Sequence, residues 1–247
     1  MIYSLLPVRP PALAGRLTEP TGTGIARLRS RACPDRRPAH RWDVPARPPR
    51  LLSGGPTSVR DVVTIDAGAN VLVPLAPDHL DGMWDAMLES SAELRTTMAW
   101  WRDEQTRDDM AGWIDYARTA WEGGSMFAFS IVDADGRYLG ACSLEGVSRQ
   151  ASSANLSYWV RTGATGRGVA RTAARALARW GCLDRRLRRV EISVVTSNTA
   201  SIAVARGSGA HHEGCQRNKA AWAGNNYDLE VFSFIPDDFD SEAHIHE

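Results

Sequence analysis

Ten of the thirteen prolines in this 247-residue chain fall within its first sixty residues, among them Pro10-Pro11 and Pro48-Pro49. Proline removes a backbone donor and fixes φ, so neither a helix nor a sheet ladder can run far there. The same sixty residues carry eleven Arg against three acids (Glu19, Asp35, Asp43), a net of +8 in a chain whose total is zero, so residues 61–247 carry −8. With only scattered Leu and Val, such a segment lacks the apolar surface to offset its ordering entropy. Residues 1–60 are therefore expected to be a disordered, basic, Pro-rich tail, and residues 62–240 the folded domain. Three origins stay open for the tail: a targeting peptide, an arm that binds phosphates in a salt-dependent way, or upstream sequence that is not naturally translated. Lys219 is the only lysine beside 28 arginines, the bias of a GC-rich genome, and translation starting near Val59, Val62 or Val63 is the expectation.

The remainder has the composition of a globular chain, at 43% hydrophobic and 23% charged residues overall. Arg or Asp breaks every apolar run before the roughly 18 residues of a membrane helix, so a soluble, cytoplasmic protein with no membrane partner is expected. Cys33, Cys142, Cys182 and Cys215 form no CxxC pair and read as reduced thiols. His211-His212 with Cys215 lacks a second ligand pair at zinc spacing, so no metal is expected and the stretch reads as a polar loop. Arg137 follows Asp133-Ala134-Asp135-Gly136 where a calcium loop needs another acid, which leaves a hairpin turn.

From residue 62 the sequence acquires period. Val71–Leu75 reads as a strand, and Pro77 opens a helix with Asp78 and Asp81 in its first turn and Leu80, Trp84, Met87 and Leu88 as its apolar stripe. A short helix is expected around 92–99. Another starts from Thr106 as N-cap and ends at Gly123-Gly124. Met126–Val132 and Tyr138–Leu144 pair as a hairpin, Ala154–Arg161 is the next strand, and an Ala-rich helix spans Arg167–Trp180. A strand at Val190–Val195, a short helix capped within Thr196-Ser197-Asn198 and a last strand at Tyr227–Phe234 complete one α+β domain without internal repeats.

Between Tyr158 and Ala170 a strand runs into a loop with Gly163, Gly166 and Gly168 and straight into a helix, which converges backbone N–H groups at a helix N-terminus. That is a pyrophosphate cradle, with Arg167 at its rim. A P-loop would need Lys and Ser/Thr after Gly166, and a dinucleotide fingerprint would need an acid closing the next strand, where Glu191 instead opens it. The segment Gly166-Arg167-Gly168-Val169-Ala170, the strand Asn155-Leu156-Ser157-Tyr158-Trp159-Val160 and Asn198-Thr199-Ala200-Ser201 before Gly209 together resemble the GNAT superfamily of N-acetyltransferases, in particular its ribosomal-protein N-terminal acetyltransferase branch. The resemblance implies a central mixed, mostly antiparallel sheet flanked by helices, with acetyl-CoA as co-substrate and no metal. It implies a pyrophosphate on Gly166, Arg167, Gly168, Val169 and Ala170, a pantetheine arm along Val160 and touching Asn198, Ser201 as the acid near the departing thiolate, and Trp100, Trp101, Asn155 and Tyr158 toward the acceptor.

The sequence also departs from that family. Gly163 replaces a usual Gln or Arg, Asn155 replaces a frequent Glu, Ala205 stands where many members have a Tyr acid, and Ala210 replaces a Phe. Glu145 and Glu191 are the remaining candidates for a water-relayed base. Acetyl transfer to a primary amine is expected, to a peptide or protein N-terminus, a ribosomal protein among them, or to a low-pKa small amine. The alternative is a non-catalytic acyl-CoA-binding domain that keeps the fold and has lost the chemistry. A monomer or homodimer without a nucleic-acid partner is expected.

Overall fold

A computed structural model describes residues 63–97, 104–222 and 224–242; the basic tail lies outside the described residues. Two short strands, β1 (Ile65–Asp66) and β2 (Asn70–Pro74), precede helices α1 (Leu80–Glu89), α2 (Ser91–Thr97) and α3 (Arg107–Glu122). The hairpin β3 (Phe127–Asp133) and β4 (Tyr138–Ser148) follows, then β5 (Ser153–Val160), α4 (Val169–Leu183), β6 (Arg189–Val195), α5 (Thr199–Gly207), β7 (His211–Trp222) and β8 (Asn225–Phe234). The strands form one sheet in the order β1-β2-β3-β4-β5-β6-β8-β7. Every neighbouring pair is antiparallel except β5 with β6, which is the expected mixed, mostly antiparallel sheet flanked by helices.

Local chemistry explains the boundaries. Asp133 Oδ1 accepts the N–H groups of Asp135 (3.1 Å) and Arg137 (2.9 Å), and Gly136 takes φ +78°, so this acid builds the hairpin turn. Thr106 Oγ1 accepts from the Asp109 N–H while Asp109 Oδ2 accepts from the Thr106 N–H at 2.8 Å, a reciprocal cap that starts α3. Alternation along β4, β5 and β6 sends Leu144, Leu156, Val190 and Ile192 to the face covered by α4, whose Ala173, Ala174 and Leu177 are fully buried there. Each large apolar side chain so buried contributes about 1.5–3 kcal/mol. A second cluster joins Met83 and Met87 of α1 and Ile114 and Ala117 of α3 to Ala128, Tyr138 and Trp159.

Three expectations change. The fully buried stripe of α1 is Met83, Ala86 and Met87, with Leu80 and Trp84 partly buried against the same cluster and Leu88 52% exposed, because a single 3-10 turn at Pro77–His79 delays the helix and rotates its buried face. Helix α4 begins at Val169 rather than Arg167, since Gly168 at φ +78° is its N-cap. The segment 211–215 is the start of strand β7 and not a loop. This strand pairs with β8 alone at the end of the sheet, and its residues through Lys219 are exposed apart from the half-buried Gly214, so no face had to be apolar. Slips in register at His212/Gly214 and Gln216/Ala220 erase any remaining alternation.

Candidate active site

The parallel contact between β5 and β6 lasts for three residues: Ser153, Ala154 and Asn155 pair with Arg189, Val190 and Glu191. Beyond it β6 stays with β8 up to Val195, while β5 runs on to Val160 against β4 alone. The two strands thus open a wedge in mid-sheet. At its mouth lies a groove of about 560 Å³, and Val160, Gly166, Arg167, Gly168, Val169 and Ala170 all line it, with Ala200, Ala203 and Val204 of α5 opposite. Asn198 is not among the lining residues. Its Oδ1 accepts the Ser201 N–H at 3.0 Å and caps α5.

The cradle is built from backbone. Gly166 (φ +75°) and Gly168 (φ +78°) hold left-handed conformations that side-chain-bearing residues rarely adopt. The first helical bond of α4 runs from the Thr172 N–H to the Gly168 carbonyl at 3.0 Å, so the N–H groups of the first turn have no intrahelical acceptor. With Arg167 and Arg171 also on the groove, this end of α4 favours a polyphosphate through N–H donors, helix dipole and cations together.

The loop is held from below by the end of α1. The Arg161 guanidinium, 9% exposed, donates from Nε to Glu89 Oε2 at 2.8 Å and from Nη1 to the Tyr138 carbonyl at 3.0 Å, with a further Nη2 contact to Glu89. Glu89 Oε1 accepts the Gly163 N–H at 2.7 Å, and Ser90 Oγ accepts that of Thr162 at 3.1 Å. Hydrogen bonding from Arg161 holds the Glu89 carboxyl below the usual range. Gly163 therefore takes its restraint from Glu89; an added Cβ would come within 3.0 Å of that carboxylate. Sequence reasoning missed this clamp, since nothing local links positions 72 residues apart.

Strand parity divides the other predicted residues between the two faces of the sheet. Tyr158 lies on the α4 face, where its hydroxyl is 3.1 Å from Ser201 Oγ and 3.3 Å from the Ser201 carbonyl. Ser201 is fully buried, and burial pushes the Tyr158 hydroxyl well above its usual pKa, so it stays protonated. Asn155 faces the opposite side with Ser157, and the structure does not bring it to Tyr158. Glu145, 7% exposed, accepts hydrogen bonds at Oε1 from Ser143 (2.6 Å) and Ser157 (2.5 Å). Burial raises its pKa, against the lowering effect of those two hydroxyls. Glu191 is tied to the Arg189 guanidinium (2.7 Å) and accepts from Ser193 (2.9 Å). Trp100 and Trp101 lie outside the described residues. His212 pairs with Glu230, and no three potential metal ligands gather among the described residues. No helix among them is long and apolar enough to cross a membrane.

Comparison with known proteins bears on this geometry. Among solved structures, the chain is similar to RimL, a ribosomal L7/L12 alpha-N-protein acetyltransferase in complex with coenzyme A, at 20% identity and a TM-score of 0.66, covering 71% of this chain and 99% of that one. It is similar to Mycobacterium smegmatis RimJ in complex with CoA-disulfide at 22% identity and 0.65, covering 72% and 88%. The microcin C7 self immunity acetyltransferase MccE, in complex with acetyl-CoA and AMP, follows at 18% and 0.63, covering 68% and 92%. No curated protein matches the sequence. The model of the Acetyltransferase (GNAT) domain matches residues 71–211, from β2 through the wedge and α5 to the start of β7. The chain therefore belongs to the GNAT acetyltransferase family and is an acyltransferase.

Proposed function

We propose that this acyltransferase binds acetyl-CoA in the wedge between β5 and β6 and moves the acetyl group to a primary amine, by preference the α-amino group of a peptide or protein N-terminus. The observation that carries the reading is the run of free N–H groups at the start of α4, flanked by Arg167 and Arg171, on the groove at the mouth of the wedge. Among similar structures, RimL holds coenzyme A and MccE acetyl-CoA, and RimL is a ribosomal L7/L12 acetyltransferase in name, which supports both the donor and a protein acceptor.

In this reading the cradle grips the pyrophosphate and the edge of β5 at Val160 guides the pantetheine arm, while Asn198 is assigned to that arm on family resemblance alone. Alignment of thioester and amine supplies most of the acceleration, for which a well-oriented pair gives up to about 7–11 kcal/mol. As the carbon–sulfur bond breaks, the Ser201 hydroxyl donates toward the thiolate, and Tyr158 Oη–H donates to Ser201 Oγ behind it. Trp100 and Trp101 are assigned to the acceptor side on family resemblance alone.

Gly168→Glu tests the donor site, because it sets a side chain and a negative charge at the N-cap. At acetyl-CoA about 100 times the dissociation constant, the wild type gains roughly 2.7 kcal/mol of stability and the variant almost none. Equal thermal shifts in the two proteins would remove the site.

A further inference from the structure

Sheet register sets three polar side chains in one row across the closed end of the wedge. Asn155 on β5 is directly opposite Glu145 on β4 and directly opposite Glu191 on β6. Directly opposed residues of an antiparallel pair have Cβ atoms about 4.5–5.5 Å apart, so Glu145 is the immediate cross-strand neighbour of Asn155. Both Oδ1 and Nδ2 of Asn155 are buried, and neither has a hydrogen-bond partner among the described residues. A buried amide left unpaired on both atoms is costly, which marks the row as a place built to receive a polar group.

The two flanking acids differ. Glu191 has both oxygens engaged, one by the Arg189 guanidinium and one by the Ser193 hydroxyl. Glu145 has no ion pair among the described residues: Ser143 and Ser157 both donate to Oε1, which orients the carboxylate and leaves Oε2 as its second acceptor. Its cross-strand neighbours bring no charge, since Ala128 of β3 stands opposite Ser143 and Met126 lies two residues back in the same cluster. The other charged groups on this face are Glu191 and Arg189 of β6, one strand beyond Asn155, Glu213 of β7, which is paired with Arg189, and the Arg161–Glu89 pair at the far end of β5.

We propose that Glu145 is the proton acceptor for the attacking amine, through a water or the amine itself seated on the Asn155 amide, and that β4 thereby supplies the carboxylate that Asn155 cannot. The inference rests on the acetyltransferase reading above and deepens it. The amine nitrogen bonds to the acetyl carbon as the carbon–sulfur bond breaks. The nitrogen sheds one proton to Glu145 Oε2, and the departing sulfur gains one from the Ser201 side. Return of the Glu145 proton through solvent to Ser201 leaves the protein unchanged, with amide and free thiol as products.

The test uses the full chain, acetyl-CoA and a set of short peptides with free N-termini, reading CoA thiol release across pH 6–9 alongside the acetyl-CoA thermal shift. Glu145→Gln is expected to keep the thermal shift, lower kcat by roughly a hundredfold with KM little changed, and lose the ionisation of the base from the acidic limb of the kcat/KM profile. Restoring a carboxylate across the row in E145Q/N155E is expected to recover at least tenfold of that loss. Full activity and an unchanged pH profile in E145Q would overturn the proposal, as would equal loss in E145Q and E145Q/N155E with both thermal shifts intact. A wild type that binds acetyl-CoA and releases no thiol with any peptide would instead overturn the functional reading beneath it.

Discussion

Glu145 shows that a group suited to chemistry need not suit stability. A carboxyl whose pKa is raised in the folded state binds more protons folded than unfolded, so it subtracts stability as pH rises above its unfolded value of about 4.3. Glu145→Gln should therefore melt higher than the wild type at pH 8.5 and gain less, or nothing, at pH 5; a variant that loses more stability at the higher pH would contradict the sign. Glu213 works in the other direction. Hydrogen bonding from Arg189, helped by Ser233, holds its pKa at about 2, so its contribution is present above about 4.3 and lost as pH falls toward 2. Acid titration of the melting temperature should flatten over that interval in Glu213→Gln, whereas an unaltered slope would show that the pair does nothing for the fold.

Among the elements, the start of α4 depends on the end of α1. Glu89→Ala would strip Arg161 of its carboxylate and the Gly163 N–H of its acceptor. We expect a loss of about 2 kcal/mol, below the roughly 3–5 of a fully buried pair because the Glu89 side chain is 32% exposed, and a weaker grip on acetyl-CoA. Normal stability and affinity would make the clamp ornamental. Close packing limits α4 at its other end: a Cβ on Gly181 would stand 2.9 Å from Leu144 Cδ1 and 3.2 Å from Val190 Cγ2. Gly181→Ala should thus destabilise by about 1–2 kcal/mol in chemical denaturation, overpacking outweighing the roughly 1 kcal/mol gain in helix propensity. What could be read in advance follows from range. Thr106 with Asp109, the Asp133–Gly136 turn and the glycines before α4 act within a few residues and are legible as sequence. The Glu89–Arg161 clamp, the Tyr158–Ser201 contact and the Glu145–Asn155–Glu191 row exist only once helix docking and strand register are set. Strand β7 escaped because an edge strand exposed on both faces carries no hydrophobic period.

For the whole molecule, the three apolar clusters among the described residues draw on positions from Val63 onward. A chain lacking residues 1–58 should keep its melting temperature and its acetyl-CoA affinity, since an apolar-poor segment adds little burial. Insoluble protein on that truncation would place the tail within the fold. The central claim, transfer to an α-amine, makes the sharpest demand on the site as a whole. An α-amino group with pKa about 7.7–8.0 is roughly a tenth neutral at pH 7, whereas a lysine near 10.4 is neutral in only a few parts per ten thousand. A buried glutamate can accept a proton from the first far more readily than from the second. The measurement is the initial rate of acetylation at pH 7 on two matched peptides, one with a free N-terminus and no lysine, the other N-blocked with a single lysine. A rate on the free N-terminus about a hundredfold higher, rising between pH 6.5 and 8.5, is the predicted result; equal rates on the two peptides would contradict it.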